Sequence, residues 1–118
     1  MSLDHTRSAI VVFAMDGCPA CDDYLPRFQA LVDGFAQHGH PVVYYQLGMP
    51  LPAGLIPIII LDGASDDPSI VSFADQHDIG ALPTTLLLRR TARPAKLEGA
   101  ISDQEIHAAL ISACIANR

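Results

Sequence analysis

Basic residues are scarce in this 118-residue chain: seven lysines and arginines stand against 13 acidic residues, a formal net charge of −6. They are also scattered, with only Arg89-Arg90 adjacent and Arg93 and Lys96 close behind. A nucleic-acid surface needs a concentrated basic face, so no nucleic-acid partner is expected. No apolar run approaches the roughly 20 residues that span a bilayer, and no membrane partner is expected either. Cysteine is limited to three residues, an odd count that rules out complete pairing within the chain. The start, Met1-Ser2-Leu3-Asp4-His5, has no basic stretch leading into an apolar one. The plain reading is a cytoplasmic protein; a removed signal peptide stays open.

Half of the residues are hydrophobic, enough for a core without disulfide staples. The length suits one domain over 1–118, with its core at about 9–116.

Ala9-Ile10-Val11-Val12-Phe13-Ala14 is short, β-branched and uniformly apolar, as a strand covered on both faces would be. Asp16-Gly17 breaks it, and Cys18-Pro19-Ala20-Cys21 follows. Pro19 suits the first turn of a helix, where its missing N–H is no loss. Beyond Cys21, the spacing of Leu25, Phe28, Leu31, Val32 and Phe35 predicts an amphipathic helix ending near Gln37, with Pro26 inside it.

Val42–Leu47 reads as a second strand. A proline-rich connection, Gly48–Gly54, leads to Ile56–Leu61, which is either the main second strand or an extra one. Asp66-Asp67-Pro68 is a helix start, with Ile70, Val71, Phe73 and Ala74 expected on its buried face. Leu82–Leu88 is a strand entered through Pro83. A polar turn over Arg89–Pro94 precedes a short strand, Ala95–Glu98. Ser102 and Glu105 form a capping box for a last helix, whose inner face takes Ile106, Ala109, Leu110, Ala113 and Cys114.

The chemistry lies in C-x-x-C. Its spacing brings two thiols on one helical turn within disulfide reach. The helix N-terminus favours thiolate, the attacking species, which makes Cys18 the nucleophile. Cys21, one turn deeper, can resolve a mixed disulfide. Half of a zinc site and a purely structural disulfide are the alternatives; zinc would need two more ligands, and no histidine pair has ligand spacing. His38 and His40 read as solvated turn residues, and Cys114 as a small buried hydrophobe. Pro83 at the start of an interior strand is either a cis proline in a tight turn or a trans proline opening an edge strand.

Taken together, these residues resemble the thioredoxin superfamily. Cys18-Pro19-Ala20-Cys21 with Pro26 is similar to its redox helix. Gly80–Leu88 is similar to the strand that carries its cis-proline, and Glu98–Ser102 to the glycine turn before its last helix. The resemblance implies an α/β fold, a mixed four-stranded sheet flanked by helices. It implies a thiol–disulfide oxidoreductase that acts on protein dithiols and disulfides, with no metal and no organic cofactor. Pro83 would be cis beside Cys18, with Leu82 and Thr84 flanking a substrate groove. The chain departs from the pattern in four places. Its N-terminus is minimal, Gly17 stands where a tryptophan is usual, Val12 replaces a buried acid, and residues 48–57 form an insertion before the second main helix. Asp16, Asp22 and Asp23 around the motif disfavour anionic glutathione and point to a protein reductase. The competing reading is a binding or assembly module of the same fold with little redox turnover. Its docking surface would be the 48–56 loop, through Met49, Leu51, Leu55 and Ile56.

Overall fold

The computed structural model of the protein describes residues 8–46, 48–50, 53–89 and 92–116. Its centre is strand β1 (Ala9–Ala14), buried along its whole length. β1 pairs in parallel with β3 (Ile56–Asp62) and antiparallel with β4 (Thr84–Arg89). A short strand β2 (Val42–Tyr44) lies outside β3, and β5 (Ala92–Glu98) lies outside β4. The sheet therefore has five strands, in the order β2-β3-β1-β4-β5, rather than the four expected. Both the Val42 and the Ile56 runs are strands of this one sheet.

Alternation along β1 assigns the two layers. Ile10, Val12 and Ala14 pack with helix α1 (Pro19–Gln37) and helix α3 (Asp103–Ala116). Val11 and Phe13 face the other way, against helix α2 (Pro68–Gln76). A nine-residue helix is too short to persist alone, so α2 depends on its one buried side chain. That residue is Phe73, whose ring stacks on Phe13 at 6.0 Å. Asp67 caps α2 by accepting from the Ser69 N–H at 2.9 Å. Ser102 and Glu105 form the expected capping box on α3.

Several boundaries differ from the sequence reading. The second strand stops at Tyr44, and Leu47 lies outside the described residues. The connection to β3 also includes Leu51 and Pro52, outside the described residues as well. Pro57, which the sequence places both in the Ile56–Leu61 run and at the end of the insertion, belongs to β3. Ile56 N donates to Pro41 O and Ile58 O accepts from Tyr45 N, so the residues on either side of Pro57 bond to the residues that flank β2. Pro57 itself faces the β1 side, one residue before that ladder starts at Ile10–Ile58. Its missing N–H therefore removes no ladder bond. β5 begins at Ala92, inside the expected polar turn, whose Arg90 and Thr91 fall outside the described residues. Pro94 is tolerated because β5 is an edge strand. Val71 is exposed, not part of the buried face of α2.

Candidate active site

Asp16 and Gly17 turn the chain from the end of β1 into α1. Gly17 has φ +79°, a left-handed conformation that side chains disfavour, and nothing crowds its Cα. Here backbone shape selects glycine where a tryptophan was the family expectation. Cys18 is the N-cap residue of α1, and Pro19 opens the first turn. The Cys18 Sγ accepts a hydrogen bond from the Cys21 N–H at 3.2 Å. Such a bond supports negative charge on the sulfur. Cys18 is half-buried and Cys21 fully buried, and both are free thiols. Pro19 and Ala20 are exposed on the first turn.

The distant segment arrives where the family resemblance implies it. The Leu82–Pro83 peptide bond is cis. The Cys18 thiol points at the Leu82 carbonyl, 3.9 Å away. Pro83 is buried, and its carbonyl accepts from the Gly99 N–H at 2.7 Å. Thr84 is fully buried between its sheet partners Phe13 and Glu98, and its hydroxyl donates to Ala81 O at 2.6 Å. Of the three expected substrate-side residues, Leu82 is half-buried with its carbonyl towards Cys18, whereas Pro83 and Thr84 are sealed in.

Burial pushes the Cys21 thiol above the ordinary thiol range. Its hydrogen bond with Cys18 works the same way, and a backbone hydrogen bond from Met15 opposes both. Val12, where an acid was the family expectation, is fully buried. Among the described residues no carboxylate is buried. The buried polar groups nearby are hydroxyls: Tyr24 and Thr85 meet at 2.6 Å. Thr85 is the cross-strand partner of Val12. Burial likewise raises the Tyr24 phenol above its ordinary range.

Three residues of this region escaped the sequence reading. Tyr24, three residues after Cys21, is wholly buried; its spacing to Phe28 was the available signal. Arg27 carries three bonds: Nη1 donates to Ile101 O at 3.0 Å and Asp103 Oδ1 at 2.7 Å, and Nη2 to Asp23 Oδ2 at 3.0 Å. Those carboxylates, Asp103 foremost, hold the guanidinium firmly in its charged form. Gly63 N donates to Ala14 O, which sets the loop after β3 beside the motif.

Other expected residues lie elsewhere. Phe35 stacks on His40 at 3.8 Å, so His40 is a packing partner rather than a solvated turn residue. Cys114 is half-buried against the α1–α3 core. In the 48–56 loop, Met49 is exposed and Leu55 half-buried. Ile56 is fully buried in β3 and cannot serve a docking surface, and Leu51 is outside the described residues. Among the described residues, no group of three or more His, Cys, Asp or Glu could hold a metal ion. No helix among them is long and apolar enough to cross a membrane.

No protein-family model and no curated protein matches the chain by sequence. Solved structures match it by shape. Thioredoxin-2 of the malaria parasite, a component of that organism's protein secretion machinery, superposes with a TM-score of 0.62 at 16% identity, over 89% of this chain and 82% of its own. Fasciola hepatica thioredoxin gives 0.60 at 14%, over 92% and 82%. The germline-specific thioredoxin Deadhead of Drosophila melanogaster gives 0.56 at 13%, over 90% and 80%. The chain has the thioredoxin-like fold.

Proposed function

We propose that the protein is a thiol–disulfide oxidoreductase that exchanges its Cys18–Cys21 dithiol with disulfides of protein substrates. One observation carries this reading: an accessible thiol caps α1, a buried thiol lies one turn deeper, and the Leu82 carbonyl is 3.9 Å from the first. The Cys18 thiolate attacks one sulfur of the substrate disulfide. A Cys18–substrate disulfide forms, the substrate S–S bond breaks, and the departing thiolate takes a proton. Cys21 loses its proton and attacks the Cys18 sulfur. The Cys18–Cys21 bond forms and the second substrate thiol leaves. The substrate gains two electrons and the protein loses them, so each cycle requires an external dithiol, supplied by a protein reductase.

Each structural feature has a part in this scheme. The Cys21 N–H supports charge on Cys18. Leu82 offers backbone to an extended substrate segment, with Pro83 and Thr84, tied to Gly99 and Ala81, fixing its place beside the sheet. The raised Cys21 thiol stays protonated until the mixed disulfide has formed. Insulin-disulfide reduction with a chemical reductant tests the scheme. Wild type should turn over and Cys18→Ser should not; a rate independent of Cys18 would overturn it.

A further inference from the structure

The Cys18–Leu82 contact joins α1 to the segment leading into β4, but 3.9 Å through sulfur is a loose link. A tighter one connects the same two segments deeper in the core. Tyr24 follows Cys21 by three residues on α1, and Thr85 follows Leu82 by three on β4. Their hydroxyls meet at 2.6 Å. Both residues are essentially inaccessible, at 0% and 1% exposure, so water cannot replace either partner. Tyr24 shares its cluster with Cys21 and Val12, and Thr85 is Val12's cross-strand partner. The pair therefore sits on the dithiol face of the sheet. The phenol ring is held as well, stacked on Phe28 at 5.7 Å with the Arg27 guanidinium 5.8 Å from its centre.

Phenylalanine and valine would fill the same volume. What the hydroxyls add is direction. Apolar contact is non-directional and tolerates small slides of a helix over a sheet. A buried hydroxyl pair is short-ranged and costly to break, which fixes one register.

We propose that Tyr24 and Thr85 are positioning residues: their buried hydroxyl pair holds α1 on β4 and thereby holds Cys18 at the Leu82 backbone where substrate is engaged. This rests on the redox reading of Cys18 and Cys21. Neither residue touches substrate; both act through the placement of others.

The experiment compares full-length wild type, Tyr24→Phe, Thr85→Val, the double variant and Thr85→Ser. Thermal midpoint and Cys18-dependent insulin reduction are read for each. Both single variants leave one buried hydroxyl unpartnered and should melt lower. The double variant leaves none and should recover most of that loss. Activity should behave differently, falling roughly three- to tenfold in both singles and no less in the double, because all three lack the bond. Thr85→Ser keeps the hydroxyl and should keep the rate. If activity recovers with stability in the double variant, or if the singles match wild type, the pair is packing alone and the proposal fails. A wild type without any Cys18-dependent rate would overturn the redox reading and the positioning role with it.

Discussion

Leu82 occupies the space that a side chain at Gly63 would need: a Cβ there would lie 2.7 Å from Leu82 Cδ1 and 2.8 Å from Cδ2. The residue whose carbonyl faces Cys18 is thus seated against the loop that follows β3. Gly63→Ala should destabilise by about 1 kcal/mol, the lower end of what overpacking costs. In a Leu82→Ala background the same substitution should cost almost nothing, since the crowded atoms are gone. Denaturant titration of the four proteins checks this; equal costs in both backgrounds would place the strain elsewhere.

The two thiols should be separable by chemistry. Cys18 has accessible surface, whereas Cys21 has none and is raised above the ordinary thiol range by burial. Brief alkylation of the reduced, folded protein near neutral pH should label Cys18 and spare Cys21, as peptide mass analysis would reveal. The raised thiol also has a stability consequence. Its contribution is fully present below the unfolded-state value of about 8.5 and is lost as pH rises through the higher folded-state value. The melting difference between reduced wild type and Cys21→Ala should therefore move against wild type between neutral pH and pH of about 10. A difference independent of pH would contradict the cause assigned.

Acidic side chains crowd the approach to Cys18. Asp16 and Asp22 are exposed on the motif, and exposed Asp62 pairs in register with Ala14 just before it. Arg27 is already engaged by Asp23 and Asp103. Oxidised glutathione, an anion, should consequently react slowly. Raising salt to shorten the Debye length from about 10 Å should speed that reaction. The pair Asp16→Asn and Asp22→Asn should speed it at low salt. Stopped-flow rates at two ionic strengths decide; a rate that falls with added salt would refute the electrostatic account.

Arg27 links α1 to the start of α3 through Ile101 O and Asp103. Because the pair is substantially exposed, Asp103→Asn should lower the thermal midpoint only modestly. Arg27→Met should do more, by also releasing the Ile101 carbonyl and the face of Tyr24. Hydrogen exchange should then quicken at the first turn of α3 before it does in β1.

Much of this arrangement was written in local pattern. The uninterrupted apolar run of β1, the proline after Cys18, the Asp67-Pro68 start and the Ser102–Glu105 box each impose local physics, and all four appear in place. Register was less visible. Val42–Leu47 and Ile56–Leu61 both read as strands, and period alone cannot say which is central. Pro57 fell in both the strand run and the insertion because its harmlessness depends on which neighbour its missing N–H would face. At the site, Cys18, Cys21 and Leu82-Pro83 were legible as motif. Tyr24, Arg27 and Gly63 were not, because the partners that tie them across the fold are 61, 74 and 76, and 19 residues away in the chain.

The outer rims of the sheet have a bearing on how the molecule behaves in company. An open strand edge invites a neighbouring chain to add itself. Here one rim is a three-residue strand, and the other carries Pro94, exposed Lys96 and an irregular register between Leu87 and Arg89. Neither offers a long, flat template. The proposed exchange with protein disulfides would have the molecule meet extended backbone without collecting it, and a sheet with blunted rims would confine that encounter to the short stretch beside Cys18.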